Sequence, residues 1–225
     1  DNVTFSYDNE KTILKNVSFT VQPGQSIALV GPTGAGKSTI INLVSRFYDP
    51  TEGAVLIDGY DIKSVNLRSL REQMGVMMQD SFIFSGTILD NIRYGKLDAT
   101  DEEIIEAAKA VHAHEFISKM ENGYYTEVSE RGSRLSVGER QLISFARALL
   151  SDPKILILDE ATSIIDTQTE ILIQKALERL LEGRTSFVIA HRLSTIRQAD
   201  RIMVIDNGQI MESGTNDELL KDKGP

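Results

Sequence analysis

Residues 31–38 read GPTGAGKS, a spacing of glycine, lysine and serine suited to holding a row of phosphates. A polyphosphate needs many donors and little steric bulk. Gly31 and Gly36 let the backbone curl so that successive N–H groups point inward. Lys37 adds a point charge for the outer oxygens, and the Ser38 hydroxyl can ligate Mg²⁺, which prefers oxygen donors. A second set of oxygens stands at the end of the apolar run 155–158, where Asp159 and Glu160 follow ILIL. Asp159 suits the metal side of a phosphate site, directly or through water, and Glu160 suits the group that polarises an attacking water. His191 follows another apolar run, 185–190, and lies within reach of a terminal phosphate if the two runs share a sheet edge. A lone histidine is more often structural, but the place of His191 at a strand end beside the other parts reverses that here. His112 and His114, two apart on one expected helix, do not share a face and read as ordinary helix residues.

These groups need elements to position them. The run SIALV at 26–30 predicts a buried strand entering the loop, and Ile40, Leu43, Val44 and Phe47 recur at helical spacing after it. Strand, glycine loop and helix together place a helix N-terminus under the phosphates. Asp159 and Glu160 at the carboxyl end of a buried strand sit where open α/β sheets bind ligands. The pairs Asp58-Gly59 and Asn207-Gly208 predict hairpin turns, and Pro23-Gly24 marks another turn. Residues 75–78 read as a buried strand, and Thr100 with Glu103 predicts a capped helix running to about Met120. Strands alternating with helices, with a helical block from about 84, predict an α/β core carrying an inserted helical subdomain.

The chain has 225 residues, a formal net charge of −9 and no cysteine. Its length allows one large core or a core with a subdomain. The acidic balance argues against nonspecific nucleic-acid binding, so an anionic nucleotide must be held by local donors. The lack of cysteine excludes disulfides, thiol catalysis and cysteine-ligated zinc. No apolar run approaches the ~20 residues of a membrane span, so any membrane link is expected from a partner or from further chain. Residues 3–7 already read as a strand, as in a domain excised from a longer polypeptide.

Further segments carry a family resemblance across essentially the whole chain. LSVGERQ at 135–141 resembles the signature motif of ABC ATPases, Gln79 their glutamine loop, SIID at 163–166 their D-loop, and Tyr7 their adenine-stacking aromatic. The segments 79–92 and 126–132 resemble those of ABC exporters. The resemblance implies a P-loop NTPase core with an antiparallel β subdomain and an inserted helical subdomain. The core would span about 1–83 and 152–225 and the helical subdomain about 84–151, with the membrane domain absent from this chain. ATP and Mg²⁺ are the implied cofactors. ATP would be bound by Gly31, Pro32, Thr33, Gly34, Ala35, Gly36, Lys37, Ser38 and Thr39, with Tyr7 and Ile13 against the base. Ser38, Gln79 and Asp159 are the implied metal-side residues, and Glu160, His191 and Gln79 the catalytic ones. Ser163 and Asp166 would act across a dimer interface; Asp166 equally suits a helix cap. The implied partners are a second ABC ATPase subunit and the membrane domains that face 79–92 and 126–132, at the cytoplasmic face of a membrane, with no nucleic acid.

The signature departs from the family's Leu-Ser-Gly-Gly-Gln at Val137 and Glu139. In the family, Ser136, Val137, Gly138 and Glu139 would meet the nucleotide held by the opposite subunit. Val137 adds β-branched bulk and disfavours a positive-φ backbone, and Glu139 brings negative charge toward a polyanion. The departure reads either as tolerated drift or as half of a non-identical pair with one degenerate site. A homodimeric exporter domain and a soluble ABC switch ATPase of DNA repair or translation stand as alternatives. A P-loop kinase leaves 135–141 unexplained.

Overall fold

The computed structural model describes residues 1–8, 11–78, 81–129, 134–160 and 166–221. They fall into two units: one of 1–76, 154–160 and 184–225, the other of 77–153 and 161–183.

In the first unit, β1 (Val3–Ser6) and β2 (Thr12–Val17) form an antiparallel pair, and β3 (Ser26–Val30) leads through the glycine loop into α1 (Lys37–Val44). A hairpin of β4 (Leu56–Ile57) and β5 (Tyr60–Asp61) turns on Asp58 and Gly59, both at positive φ as a type I′ turn requires. Then come α2 (Leu67–Glu72) and β6 (Met74–Met77). After the second unit's first segment the chain returns as β9 (Ile155–Asp159). It comes back again as β10 (Thr185–Ile189), α8 (Leu193–Gln198), β11 (Arg201–Asp206), β12 (Gln209–Gly214) and α9 (Asn216–Lys221).

The principal sheet runs β12-β11-β3-β10-β9-β6. β11, β3, β10 and β9 are mutually parallel, and β12 returns antiparallel through the Asn207-Gly208 turn. The three central residues of β3 and the last four of β10 are buried, as expected of strands covered on both faces. Ile27, Leu29, Ile157, Phe187, Ile189 and Met203 from the sheet pack in one cluster with Ile40, Ile41 and Leu43 of α1. The register aligns Leu29 with Ile189 and Ile189 with Asp159. The chain leaving β3, β9 and β10 therefore emerges along one edge.

The second unit is mainly helical. Its elements are β7 (Gly86–Thr87), α3 (Ile88–Arg93), α4 (Asp101–Ala110), α5 (His114–Ile117), β8 (Glu127–Val128), α6 (Val137–Ser151) and α7 (Thr167–Leu181). α7 groups here, although the sequence reading assigned everything from about 152 to the core. Thr87, Thr100 and Ser136 each cap a helix with a reciprocal bond from the residue three on.

The helix starting at Thr100 is shorter than expected, ending at Ala110 instead of near Met120. His112 adopts φ 60°, its N–H reaches Lys109 O at 3.1 Å, and the Ala113 N–H reaches Ala108 O at 2.8 Å. Those two bonds make a Schellman stop with histidine where glycine is usual. His112 and His114 thus occupy a helix end and the start of α5, not one helix.

Candidate nucleotide-binding site

The phosphate loop is backed by strands from the far end of the chain. Gly31 has φ 144°, and a Cβ there would lie 2.0 Å from the Ile205 carbonyl oxygen, so the close approach of β11 admits only glycine. Behind the loop, Gly208 donates to Ala35 O at 2.9 Å and its own carbonyl accepts from Lys15 N at 2.9 Å. A Cβ on Gly208 would meet the Ile13 carbonyl at 1.9 Å. The β11–β12 turn, β2 and the loop are joined here by backbone hydrogen bonds, and Leu14, Ala35 and Ile205 pack in the same core cluster. Ile13, expected near the base, is half-buried in β2 with its carbonyl at this junction.

Within the loop, Pro32, Thr33 and Gly34 are exposed, and Ala35 and Gly36 are buried. The helix-capping position of α1 is Gly36, which brings no side chain, so the first-turn N–H groups face outward toward any anion at the loop. The Lys37 ammonium donates to Gly31 O at 2.7 Å and Pro32 O at 2.8 Å, spanning the loop mouth. Burial draws its pKa down, and the nearby Asp159 charge opposes that. Ser38 is exposed in the first turn.

Tyr7 is 47% exposed and stands edge-on to Phe5 and Tyr48, with ring centroids 4.8 and 4.9 Å away. Its hydroxyl lies 3.1 Å from Thr39 Oγ1 and accepts from Asn42 Nδ2 at 3.3 Å. The half-exposed ring is thereby tied to α1.

Asp159 ends β9. Burial pushes its pKa up from the ordinary value, and the His191 and Lys37 charges hold it back. Among the described residues no group of three or more histidines, aspartates or glutamates could hold a metal. The oxygen donors on hand, Ser38 and Asp159, fit Mg²⁺, an ion that fills its remaining positions with phosphate oxygens and water.

Glu160 is 5% exposed. Its Oε2 accepts from the backbone N–H of His191 at 2.7 Å and of Arg192 at 2.9 Å, and its Oε1 accepts from Thr195 Oγ1 at 2.7 Å. Arg192 Nε stands 3.9 Å from Oε1. The His191 side chain is exposed at the end of β10. The loop, Asp159, Glu160 and His191 thus come together at one sheet edge. The sequence marks Gly208 as part of a hairpin turn but carries no sign of its place behind the loop, and it carries no sign of Thr195. Gln79 and Ser163 lie outside the described residues.

In the second unit, Ser136 caps α6: its Oγ accepts from Glu139 N at 3.1 Å, and Glu139 Oε2 accepts from Ser136 N at 2.8 Å. Val137 is 39% exposed and occupies the first helical turn; neither it nor Gly138 has positive φ. The expected conflict between a β-branched side chain and a left-handed backbone therefore does not arise. Gly138 is fixed by space instead, since a Cβ there would lie 2.2 Å from Thr169 Cγ2 of α7. Asp166 caps α7, accepting from Thr169 N at 3.0 Å, and hydrogen bonds from the Thr169 side chain and then its backbone hold the carboxyl below the ordinary value.

The exporter-like segments meet in this unit. β7 and β8 pair Gly86 with Val128 and Thr87 with Glu127. The buried Asn91 bonds the carbonyls of Phe84 and Thr87 at 3.0 and 2.9 Å, and Arg147 bonds those of Asn91 and Phe82 at 2.8 and 3.0 Å. Phe82, Phe84 and Tyr94 are left exposed side by side. Residues 79–80 and 130–132 lie outside the described set.

A family model described as ABC transporter matches residues 14–163. The chain is 58% identical over 222 residues to the "Uncharacterized ABC transporter ATP-binding protein YfiC" of Bacillus subtilis, covering 99% of this chain and 37% of that protein. It is 51% identical over 224 residues to the fatty acid ABC transporter ATP-binding/permease protein of Mycobacterium bovis, covering 100% of this chain and 36% of that protein. The solved structure of a bacterial Atm1-family ABC exporter with ATP bound matches all of this chain and 39% of that one, with a TM-score of 0.92 at 48% identity. The chain thus spans a little over a third of the length of each of these three proteins.

Proposed function

The chain belongs to the ABC transporter family as an ATPase domain, and from that premise we propose that it powers export of a substrate across a membrane. The observation that carries the chemistry is the shared edge at which Gly31–Ser38, Asp159, Glu160 and His191 converge. In the proposed site the loop N–H groups and Lys37 hold the β- and γ-phosphates, and Tyr7 offers its ring to the adenine. Ser38 and Asp159, with Gln79, would hold Mg²⁺, which when bound would neutralise the phosphate charge. Glu160 orients the attacking water, and His191 faces the terminal phosphate.

The substitution Glu160→Gln tests this assignment. ATP binding is expected to stay within about threefold of wild type and turnover to fall about a hundredfold or more. Retention of more than a third of the wild-type rate removes Glu160 from the mechanism.

The membrane side rests on the pairing of β7 with β8, which joins the two exporter-like segments under an exposed aromatic cluster. We place the membrane domains there, on the cytoplasmic face. No helix among the described residues is long and apolar enough to cross a membrane. We further propose that ATP is sandwiched between this loop and the signature of a second, non-identical ATPase subunit. Support comes from Val137, exposed on the first turn of α6, and from the Glu139 carboxylate beside the helix start, where a phosphate would otherwise meet only N–H groups. In a homodimer both sites would carry that bulk and charge. The paired change Val137→Gly with Glu139→Gln leaves the cap able to form, because glutamine caps as glutamate does. It is expected to raise the ATPase rate of this chain assayed alone. An unchanged rate in a well-folded double variant favours the homodimer.

A further inference from the structure

We propose that Thr195 is a positioning residue for the Glu160 carboxylate and decides which of its oxygens meets water. The inference rests on the reading of Glu160 given above. An ionised carboxylate accepts through roughly four lone-pair sites, two on each oxygen. Both sites on Oε2 are taken by the backbone N–H groups of His191 and Arg192. One site on Oε1 is taken by the Thr195 hydroxyl at 2.7 Å, and Arg192 Nε stands further off at 3.9 Å. Among the described residues, what remains is the second site on Oε1, and its direction is fixed by the bond that Thr195 makes. A water polarised by Glu160 in this arrangement must donate there.

The Thr195 contact is not needed to cap α8. Thr195 lies within the first turn of α8, and the N–H groups of His191 and Arg192 just before that helix are bound by Oε2, not by Thr195. The hydroxyl addresses the other oxygen, from a side chain only 4% exposed, across a contact that is itself buried. A charge-assisted bond sheltered from water is stronger than an exposed neutral one, so it restrains the carboxylate plane effectively. Valine at this position would keep the shape of threonine and remove the donor. The Oε2 pair would persist, but the plane could turn about it and the open lone pair would lose its aim.

The experiment compares Thr195→Val, Thr195→Ser and Glu160→Gln, singly and with Thr195→Val combined with Glu160→Gln, in the natural full-length protein. Thr195→Val is expected to lower kcat about tenfold or more, the loss of one hydrogen bond to a charged group. ATP affinity should stay within about twofold, since Thr195 touches no phosphate-binding group. Thr195→Ser should recover most of the rate. In the Glu160→Gln background, adding Thr195→Val should leave the residual single-turnover rate unchanged, because the group it positions is gone. The proposal falls if Thr195→Val turns over within twofold of wild type, if serine fails to recover the rate, or if the same fractional loss appears without Glu160. Should Thr195→Val melt early, Thr195→Ala replaces it in every comparison. An active Glu160→Gln overturns the reading of Glu160 and this proposal with it. An inactive Glu160→Gln beside a fully active Thr195→Val overturns this proposal alone.

Discussion

At the scale of single residues, the site sets function against stability. Asp159 has its pKa raised because burial penalises the charged carboxylate more than Lys37 and His191 repay. A carboxyl whose folded pKa lies above its unfolded one favours folding below the unfolded value of about 3.9, and that favour is lost as pH rises through the folded pKa. At neutral pH the ionised Asp159 therefore weighs against the fold. Asp159→Asn is expected to melt at a higher temperature than wild type at pH 7, with the gap closing as pH falls toward 4; thermal melts across that range check it. Lys37 holds two loop carbonyls as well as facing the phosphates. Lys37→Ala should weaken ATP binding by about ten- to a hundredfold, the worth of a charge-assisted contact, as calorimetry will read. Both residues were legible in the sequence because their chemistry depends on type and spacing. Thr195 was not, because its role arises only when β9 and the segment after β10 lie side by side.

At the scale of elements, local signals worked where one residue type has one geometric use. Asp58-Gly59 and Asn207-Gly208 turned where expected, and Thr100 with Glu103 capped α4. The same logic failed at His112, since a Schellman stop can be built on a non-glycine residue that tolerates positive φ. The short pair β7–β8 was hidden inside a helical pattern because two-residue strands carry no periodicity. Gly138 was read for its place in a motif, while the structure gives it a packing task. Gly138→Ala would put a methyl 2.2 Å from Thr169 Cγ2. It should destabilise the chain by about 1–3 kcal/mol, as overpacking does. The double variant with Thr169→Ser should recover much of that loss, because the offending methyl is gone; urea denaturation of the three variants checks both statements.

At the scale of the whole molecule, the proposed sandwich requires two chains to complete each site. The ATPase rate of this chain alone is expected to rise more steeply than linearly with concentration, and a strictly linear rate from a monomer by light scattering removes the need for a partner. The fold was legible at this level through the order of strand, loop and helix; which distant strands back the loop was not, since no motif records a backbone contact. That backing has a consequence in time. Ala35 and Lys15 wait for Gly208 to close the junction behind the phosphate loop. The chain between Ala35 and Gly208 takes on the order of ten seconds or more to leave the ribosome. Throughout that interval the nascent loop has its lysine and serine but no wall behind it, so nucleotide capture waits until Gly208 has emerged. A ribosome-bound chain stalled with residue 200 just emerged should ignore an immobilised ATP analogue that a chain stalled with residue 225 emerged retains.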